Sequence, residues 1–143
     1  MSSELNIRLR NDFGELTGLR ERLREFCESL KLPRSCAFAV MLSLDELVTN
    51  IISYAWEDGL DHSIAISAKC GNGVMEIEVE DDGKPFNPLD YEPPDLSSPI
   101  EERHIGGLGI HLIQTYMDEI AYRREGGRNR VVMRKRVSQP LSG

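Results

Sequence analysis

The spacing of apolar residues over the first sixty positions predicts two amphipathic helices. In each, apolar residues recur at intervals of three and four, which places them on one face of a helix. The first set is Leu16, Leu19, Leu23, Phe26 and Leu30, and the second is Val40, Leu44, Leu47, Val48, Ile51 and Ala55. We expect Asp12 to cap the first helix, and Pro33 to open the second, which would end near Trp56. A short strand around Ile7 precedes both helices.

Further along the chain the apolar period changes to two, which is typical of strands paired in hairpins. The alternating segments are 64–69 and 75–80, joined by Gly71–Asn72–Gly73, and 120–124 and 130–137, joined by Gly126–Gly127. A helix is expected from about Leu108 to Met117, before the second hairpin. We therefore predict an α+β fold: a two-layer α/β sandwich with helices over a mostly antiparallel mixed sheet, in a single domain spanning 1–143.

Composition and charge narrow the possible function classes. The 143 residues carry 17 Lys and Arg against 24 Asp and Glu, a formal net charge of −7. This balance argues against a nucleic-acid binder, whose phosphate contacts need clustered basic side chains. No run approaches the roughly 18 apolar residues of a membrane span, and the first residues lack a secretory signal, so we expect a cytoplasmic protein without membrane partners. Cys27, Cys36 and Cys70 are expected to be free, buried thiols.

Two features of the second half of the chain could serve a function. Residues 76–102 contain ten acidic side chains and one lysine, whereas 119–136 contain seven basic side chains and two acidic ones. The two segments could face different partners or could both be solvated surface. The interval from Gly83 to His104 contains five prolines and no helical or strand pattern. Ordered domains seldom carry so long a loop unless it has a function, so this loop is a candidate functional segment.

Glu46 and Asn50 form a candidate polar pair on the second predicted helix. They are four residues apart, about 40° around the helix axis, and we expect them on the side away from the apolar stripe. A carboxylate can accept a proton from a nucleophile, and an amide oxygen suits Mg²⁺ that carries phosphate oxygens. A solvated polar helix face would show the same pattern, and that interpretation stays open.

Asp81 and Asp82 end the second strand of the first hairpin, and strand parity separates them. Asp81 shares its phase with the apolar residues Met75, Ile77 and Val79, so it is predicted to point inward, and Asp82 to lie on the surface. An inward carboxylate needs a donor, because unpaired burial costs several kcal/mol in order of magnitude. A ligand amine would supply one. A local turn with Gly83 or an internal salt bridge would also do so.

A glycine cluster precedes the predicted third helix. In Gly106–Gly107–Leu108–Gly109 the absence of Cβ atoms exposes backbone amides at the positive end of that helix, where phosphates bind favourably. A hinge for loop movement would need the same glycines.

The order of these features resembles a known fold. The three motifs, in chain order, are Glu46-x-x-x-Asn50, Asp81-x-Gly83-x-Pro85-Phe86 and Gly107-x-Gly109. They are similar to those of the Bergerat-type (GHKL) ATP-binding fold, which type II topoisomerases, sensor histidine kinases and a class of heat-shock chaperones share. The small size and the run from Gly106 to Glu119 look like the anti-sigma-factor serine-protein kinases of bacterial partner-switching systems. The resemblance covers roughly Phe38 to Arg136.

The resemblance implies a site for ATP and Mg²⁺ and assigns its residues. Asp81 would accept the exocyclic amine of adenine, and Gly83 would let the backbone pass close under the base. Asn50 would ligate Mg²⁺. Gly107 and Gly109 would wrap the phosphates.

The resemblance also implies a reaction. Glu46 would be the general base that activates a serine hydroxyl of a protein substrate. The loop at about 84–105 would be an ATP lid. Relatives place a lid arginine against the terminal phosphate, and the candidate here is Arg103. Two departures from the family pattern are Pro85, where a second glycine is usual, and Gly127–Arg128–Asn129, where many relatives place a threonine that would contact phosphate.

In that family the substrate is a STAS-type anti-anti-sigma protein, and the kinase otherwise holds a sigma factor as a homodimer. The implied function is an ATP-dependent protein-serine kinase acting as an anti-sigma factor. One alternative is a non-catalytic, ATP-gated module that sequesters a sigma factor or another regulator. Another is a detached histidine-kinase catalytic domain that acts on a separate phospho-acceptor.

Overall fold

The computed structural model describes residues 3–88 and 112–137. Seven elements follow one another along the chain: β1 (Ser3–Arg10), α1 (Glu15–Ser29), α2 (Arg34–Tyr54), β2 (Ser63–Gly71), β3 (Val74–Asp81), β4 (Glu119–Glu125) and β5 (Arg128–Arg136). The strands form one sheet in the order β1-β2-β3-β5-β4. All four pairings among these described strands are antiparallel. The predicted α+β class with helices beside a sheet is confirmed.

Both hairpins turn where the glycines predict. Asn72 and Gly73 have φ angles of 54° and 76°, and Gly126 and Gly127 have 59° and 76°. Positive φ at both central residues is what a two-residue turn needs to match the right-handed twist of its strands. The first turn sets the register that brings Asp81 opposite Ile64 on β2. Asn129 on β5 lies opposite Asp81 through the separate, long-range pairing of β3 with β5.

The two helices begin and end close to the predicted positions, with one correction. The N-cap of α1 is Gly14, and Asp12 stands two residues earlier, where its Oδ1 accepts a hydrogen bond from the Gly14 amide at 2.9 Å. Asp12 thus closes a local turn before the helix and is not its cap, because the chain makes that turn between Asp12 and Gly14 before helical geometry starts. The second helix begins after Pro33 and ends at Tyr54.

The core lies between the helices and one face of the sheet. The buried apolar residues of that face are Ile7, Leu9, Ile64, Ile66, Ala68, Met75, Ile77, Val79, Val131 and Met133. Helix α2 supplies nine buried residues and is long and apolar enough, by length and composition alone, to cross a membrane. Half of that stretch is buried inside the fold, as expected of a central core helix. Cys27 and Cys36 are buried, Cys70 is half-buried, and all three are free.

The opposite face of the sheet joins the acidic and basic segments of the sequence to each other. On β3, Glu76 pairs with Arg134 at 2.8 Å, and both Glu78 and Glu80 pair with Arg130 at 2.8 and 3.0 Å. Each such pair is partly exposed, so solvent screening keeps its contribution to stability small. Opposite charges across β3 and β5 favour this pairing over others, so the described parts of the two segments face each other.

Candidate functional site

Asp81 is the buried carboxylate of the site. Only 3% of the residue is exposed, whereas Asp82 is exposed, which confirms the parity prediction. Its Oδ1 accepts two hydrogen bonds, from the Gly83 amide at 2.8 Å and from Asn129 Nδ2 at 3.0 Å. No donor within 3–88 and 112–137 reaches Oδ2. Burial raises the pKa of Asp81, and the bonds from Asn129 and Gly83 oppose that shift. The described residues thus hold the carboxylate through Oδ1 and leave Oδ2 for a ligand.

Asp82, one residue on, belongs to a different cluster. Its Oδ1 accepts a hydrogen bond from Trp56 Nε1 at 3.0 Å. The Trp56 ring stacks on His62, with 4.7 Å between centroids, and His62 Nε2 contacts Asp58 at 2.8 Å. These contacts hold the loop after α2 against the end of β3 on the surface of the protein. The adjacent Asp81 and Asp82 therefore have separate roles.

Gly83 is the point where the chain leaving β3 meets the end of α2. A Cβ at this position would lie 2.5 Å from Ala55 Cβ and 2.7 Å from the Ala55 carbonyl oxygen. The Lys84 amide donates to the same carbonyl at 2.9 Å. Among the described residues, the close approach that requires glycine is therefore to α2. Because Ala55 is five residues beyond Asn50, the contact lies about 7.5 Å along the helix axis from Asn50.

Gly83→Ala is expected to lower the free energy of unfolding by about 1–3 kcal/mol, the usual cost of overpacking against atoms that cannot rotate away. Chemical denaturation would measure the loss. Gly18→Ala is the control, because nothing lies within 4 Å of its Cβ position inside α1, and alanine there should stabilise by up to about 1 kcal/mol. Equal stability of the Gly83 variant and the wild type would contradict the packing argument.

Asn50 and Glu46 lie on α2, at the edge of its buried face. The prediction that both point away from the apolar stripe is wrong for Asn50, which is 5% exposed. The reason is that the buried face is wider than the stripe: Ala39, Ser43 and Asn50 are buried too, so about half of the helix circumference is covered. Glu46, about 40° further round, is half-buried.

The Asn50 amide has a defined orientation. Its Nδ2 donates to the Glu46 carbonyl oxygen at 2.7 Å, so the nitrogen faces back along the helix and Oδ1 takes the other direction. That bond satisfies the donor end of a buried amide inside its own helix. The hard oxygen end remains as a possible ligand for a cation.

Glu46 and its neighbour Asp45 have different surroundings. Arg20 of α1 binds Asp45 through two contacts, at 2.6 and 3.2 Å. Burial raises the pKa of Glu46, and the charge of Asp45 raises it further. A carboxylate with a raised pKa holds a proton more readily, which is a property of general bases.

Sequence reasoning gave Asn129 no structural role, although it is central to the site. Asn129 is 2% exposed and contacts Asp81, Tyr122, Arg124 and the backbone of the segment after β3. Strand parity could have found it, because it shares its phase with the buried Val131 and Met133. The predicted phosphate contacts Arg103, Gly107 and Gly109, most of the predicted lid and the start of the predicted third helix lie outside the described residues; 112–116 are helical.

Comparisons with known proteins show the family of this chain. A family model described as a histidine kinase-like ATPase domain matches residues 9–135. The serine-protein kinase RsbW of Bacillus cereus is 30% identical over an alignment 136 residues long, and the match covers 77% of this chain and 84% of that protein. The serine/threonine-protein kinase BtrW of Bordetella bronchiseptica is 25% identical over 96 residues, covering 67% of this chain and 68% of that protein.

Solved structures support the fold. The crystal structure of the RsbU and RsbW domains of a Mycobacterium tuberculosis protein aligns with a TM-score of 0.68 and 16% identity, over 96% of this chain and 33% of that chain. A blue-light activated histidine kinase of Erythrobacter litoralis aligns with a TM-score of 0.56 and 20% identity, over 76% of this chain and 32% of that chain. The chain belongs to the histidine kinase-like ATPase domain family and, within it, to the family of the RsbW proteins.

Proposed function

We propose that the chain is an ATP-dependent protein-serine kinase that acts as an anti-sigma factor. The observation that carries the proposal is the buried Asp81, at the end of a strand that packs against α2; the donors from the described residues bind its Oδ1 and leave Oδ2. Helix α2 carries a carboxylate with a raised pKa and a buried amide, one turn apart. Relatives named as serine-protein kinases support the same reading.

Asp81 would recognise adenine through Oδ2. A carboxylate oxygen is a strong acceptor, and the exocyclic amine of adenine is a donor, so the pair forms a charge-assisted hydrogen bond. Guanine carries a carbonyl oxygen at that position and would meet the carboxylate with like polarity. The buried position of Asp81 supports this role, because a charge so far out of water needs a partner to offset its desolvation.

The donor set of α2 fits a magnesium ion. Mg²⁺ takes hard oxygen ligands and keeps several waters, so a single neutral amide oxygen beside phosphate oxygens suffices. The bond from Asn50 Nδ2 to the Glu46 carbonyl leaves Oδ1 as the atom that would ligate the ion. Mg²⁺ would neutralise phosphate charge there, and Gly107, Gly109 and Arg103 would contact the phosphates.

Glu46 would then accept the proton of a serine hydroxyl on the protein substrate. The hydroxyl oxygen forms a bond to the terminal phosphorus of ATP, the bond from that phosphorus to the bridging oxygen breaks, and ADP leaves. The proton moves to the Glu46 carboxylate. Positioning and charge neutralisation supply most of the acceleration in such transfers, and a base orients the nucleophile.

The proposed partners are a STAS-type anti-anti-sigma protein as substrate and a sigma factor held by a homodimer. We infer them, together with a cytoplasmic location, from membership in the RsbW family. The proposal assigns no nucleic acid as a partner, which agrees with the net charge of −7.

The test is a transfer assay with ATP labelled on its terminal phosphate, Mg²⁺ and a STAS-type acceptor protein from the native cell. We expect label in the acceptor as acid-stable phosphoserine. Acid-labile phosphohistidine would instead identify a detached histidine-kinase domain. ATP-dependent binding of a regulator without any transfer would identify a non-catalytic module, and the kinase proposal would then be wrong.

A further inference from the structure

Asn129 on β5 links the Asp81 carboxylate to side chains of β4 and to the segment after β3 through hydrogen bonds. Its Nδ2 donates to Asp81 Oδ1 at 3.0 Å and to the Lys84 carbonyl oxygen at 2.8 Å. Its Oδ1 accepts from the Tyr122 hydroxyl at 2.6 Å, from Arg124 Nη1 at 3.2 Å and from the Phe86 amide at 3.3 Å. Both ends of this buried amide are therefore used.

These contacts define which end of the amide faces Asp81. Three donors converge on one side of Asn129, and only an oxygen can accept them, so the nitrogen must face the carboxylate. The assignment rests on the whole network and not on the Asp81 contact alone. With its hydrogens directed at Asp81 and Lys84, Asn129 has none left for a nucleotide.

We propose that Asn129 is a positioning residue for base selection, which holds Asp81 Oδ1 so that Oδ2 is presented to the amine of adenine. The inference rests on the proposed function, because it needs Asp81 to bind a base. The proposal gives Asn129 a role at the base. The family pattern alone indicated only that a phosphate contact from a threonine is missing at this point of the chain.

The second point of support is the segment after β3. Arg124 Nη1 donates to the Gly83 carbonyl at 2.6 Å, and Asn129 contacts the backbone at Lys84 and Phe86. Together with the Gly83 amide bond to Asp81, these contacts tie the carboxylate, the turn after it and the β4–β5 hairpin into one unit. Loss of the Asn129 amide would free the Asp81 side chain to rotate, because, of its bonds to the described residues, the one from the Gly83 amide would remain.

The electrostatics give an independent consequence. Burial raises the pKa of Asp81, the Asn129 and Gly83 bonds lower it, Asp82 raises it and Arg124 lowers it. Without the Asn129 bond the pKa rises further. A protonated carboxyl group accepts the adenine amine less well, so nucleotide binding should be lost at a higher pH in the variant than in the wild type as the pH falls.

The experiment compares the affinities for ATP and inosine triphosphate, which carries an acceptor oxygen in place of the 6-amino group. The variants are Asn129→Ala and the milder Tyr122→Phe, which removes one hydroxyl that orients the amide. Asn6→Ala is the control, because Asn6 lies on β1 and contacts the exposed Glu4. Isothermal titration across a range of pH gives both the ratio of affinities and the pH profile.

We expect the preference for ATP over inosine triphosphate to fall about five- to tenfold in Asn129→Ala, the effect of one net hydrogen bond, and less in Tyr122→Phe. General damage to the fold would weaken the binding of both nucleotides equally. An unchanged ratio of the two affinities in both variants would overturn the role of Asn129. A Tyr122→Phe variant whose ratio and pH profile both match the wild type would overturn it too. A wild type without preference for ATP would instead overturn the proposed adenine site.

Discussion

Glu46→Gln is expected to bind ATP with wild-type affinity and to transfer phosphate 10²–10⁴ times more slowly, the usual effect of losing a general base. Glutamine keeps the length and the shape of the side chain, and it can still form hydrogen bonds at the edge of α2. It cannot accept a proton from a hydroxyl. The measurements are ATP affinity by calorimetry and the single-turnover rate of phosphoserine formation with the cognate acceptor.

Asp45→Asn is the matched control for this change. It removes the neighbouring carboxylate, which Arg20 holds against α1, and with it the smaller cause of the raised pKa of Glu46; burial, the larger cause, remains. We expect transfer close to the wild-type rate and a change in stability of about 0–1 kcal/mol. Transfer by Glu46→Gln at the wild-type rate would show that another group is the base.

Asn50→Ala should have a different kinetic signature from Glu46→Gln. It removes the proposed Mg²⁺ ligand, so the affinity for the Mg²⁺ complex of ATP should fall while Mg²⁺-free ATP binds as before. The comparison of nucleotide affinity with and without Mg²⁺ separates the two roles. Equal losses with and without the ion would mean that Asn50 supports the fold of the site and does not ligate the metal.

Local patterns in the sequence predicted much of this fold, because local physics decides it. The period of apolar residues predicted both helices and both hairpins, and two pairs of residues with positive φ stand where the hairpins turn. Parity along β3 placed Asp81 inside and Asp82 outside. In each case a residue and its immediate neighbours carry the information.

The contacts that the sequence patterns did not predict join segments that are distant along the chain. The Gly83 contact with Ala55 depends on how β3 meets α2, and the burial of Asn50 depends on how widely α2 is covered. The acidic and basic segments could be recognised as partners only once β3 and β5 were adjacent. Asn129 illustrates both cases, since parity marks it as buried but only the β3–β5 register places it opposite Asp81.

Asp81→Asn is expected to reduce ATP affinity about tenfold to over a hundredfold, because a hydrogen bond to a charged acceptor contributes about 1.5–3 kcal/mol. The asparagine oxygen would keep accepting from the Gly83 amide and from Asn129, since both are donors. The NH₂ group would then occupy the place of Oδ2 and meet the adenine amine as a second donor. Calorimetric titration with ATP measures the loss.

The fold should survive this change, which makes the loss specific. Burial raises the pKa of Asp81. Ionisation of this carboxyl group therefore destabilises the fold, and the loss of stability grows as the pH rises through the raised pKa. A neutral amide avoids this loss at neutral pH. The melting temperature of Asp81→Asn should equal or exceed that of the wild type.

Asp82→Asn is the matched control: its oxygen can still accept the Trp56 bond on the outside of the site, so ATP affinity should stay within about twofold of the wild type. Equal losses of affinity in the two variants would contradict the inward, base-binding role of Asp81, because only one of these adjacent carboxylates points into the fold.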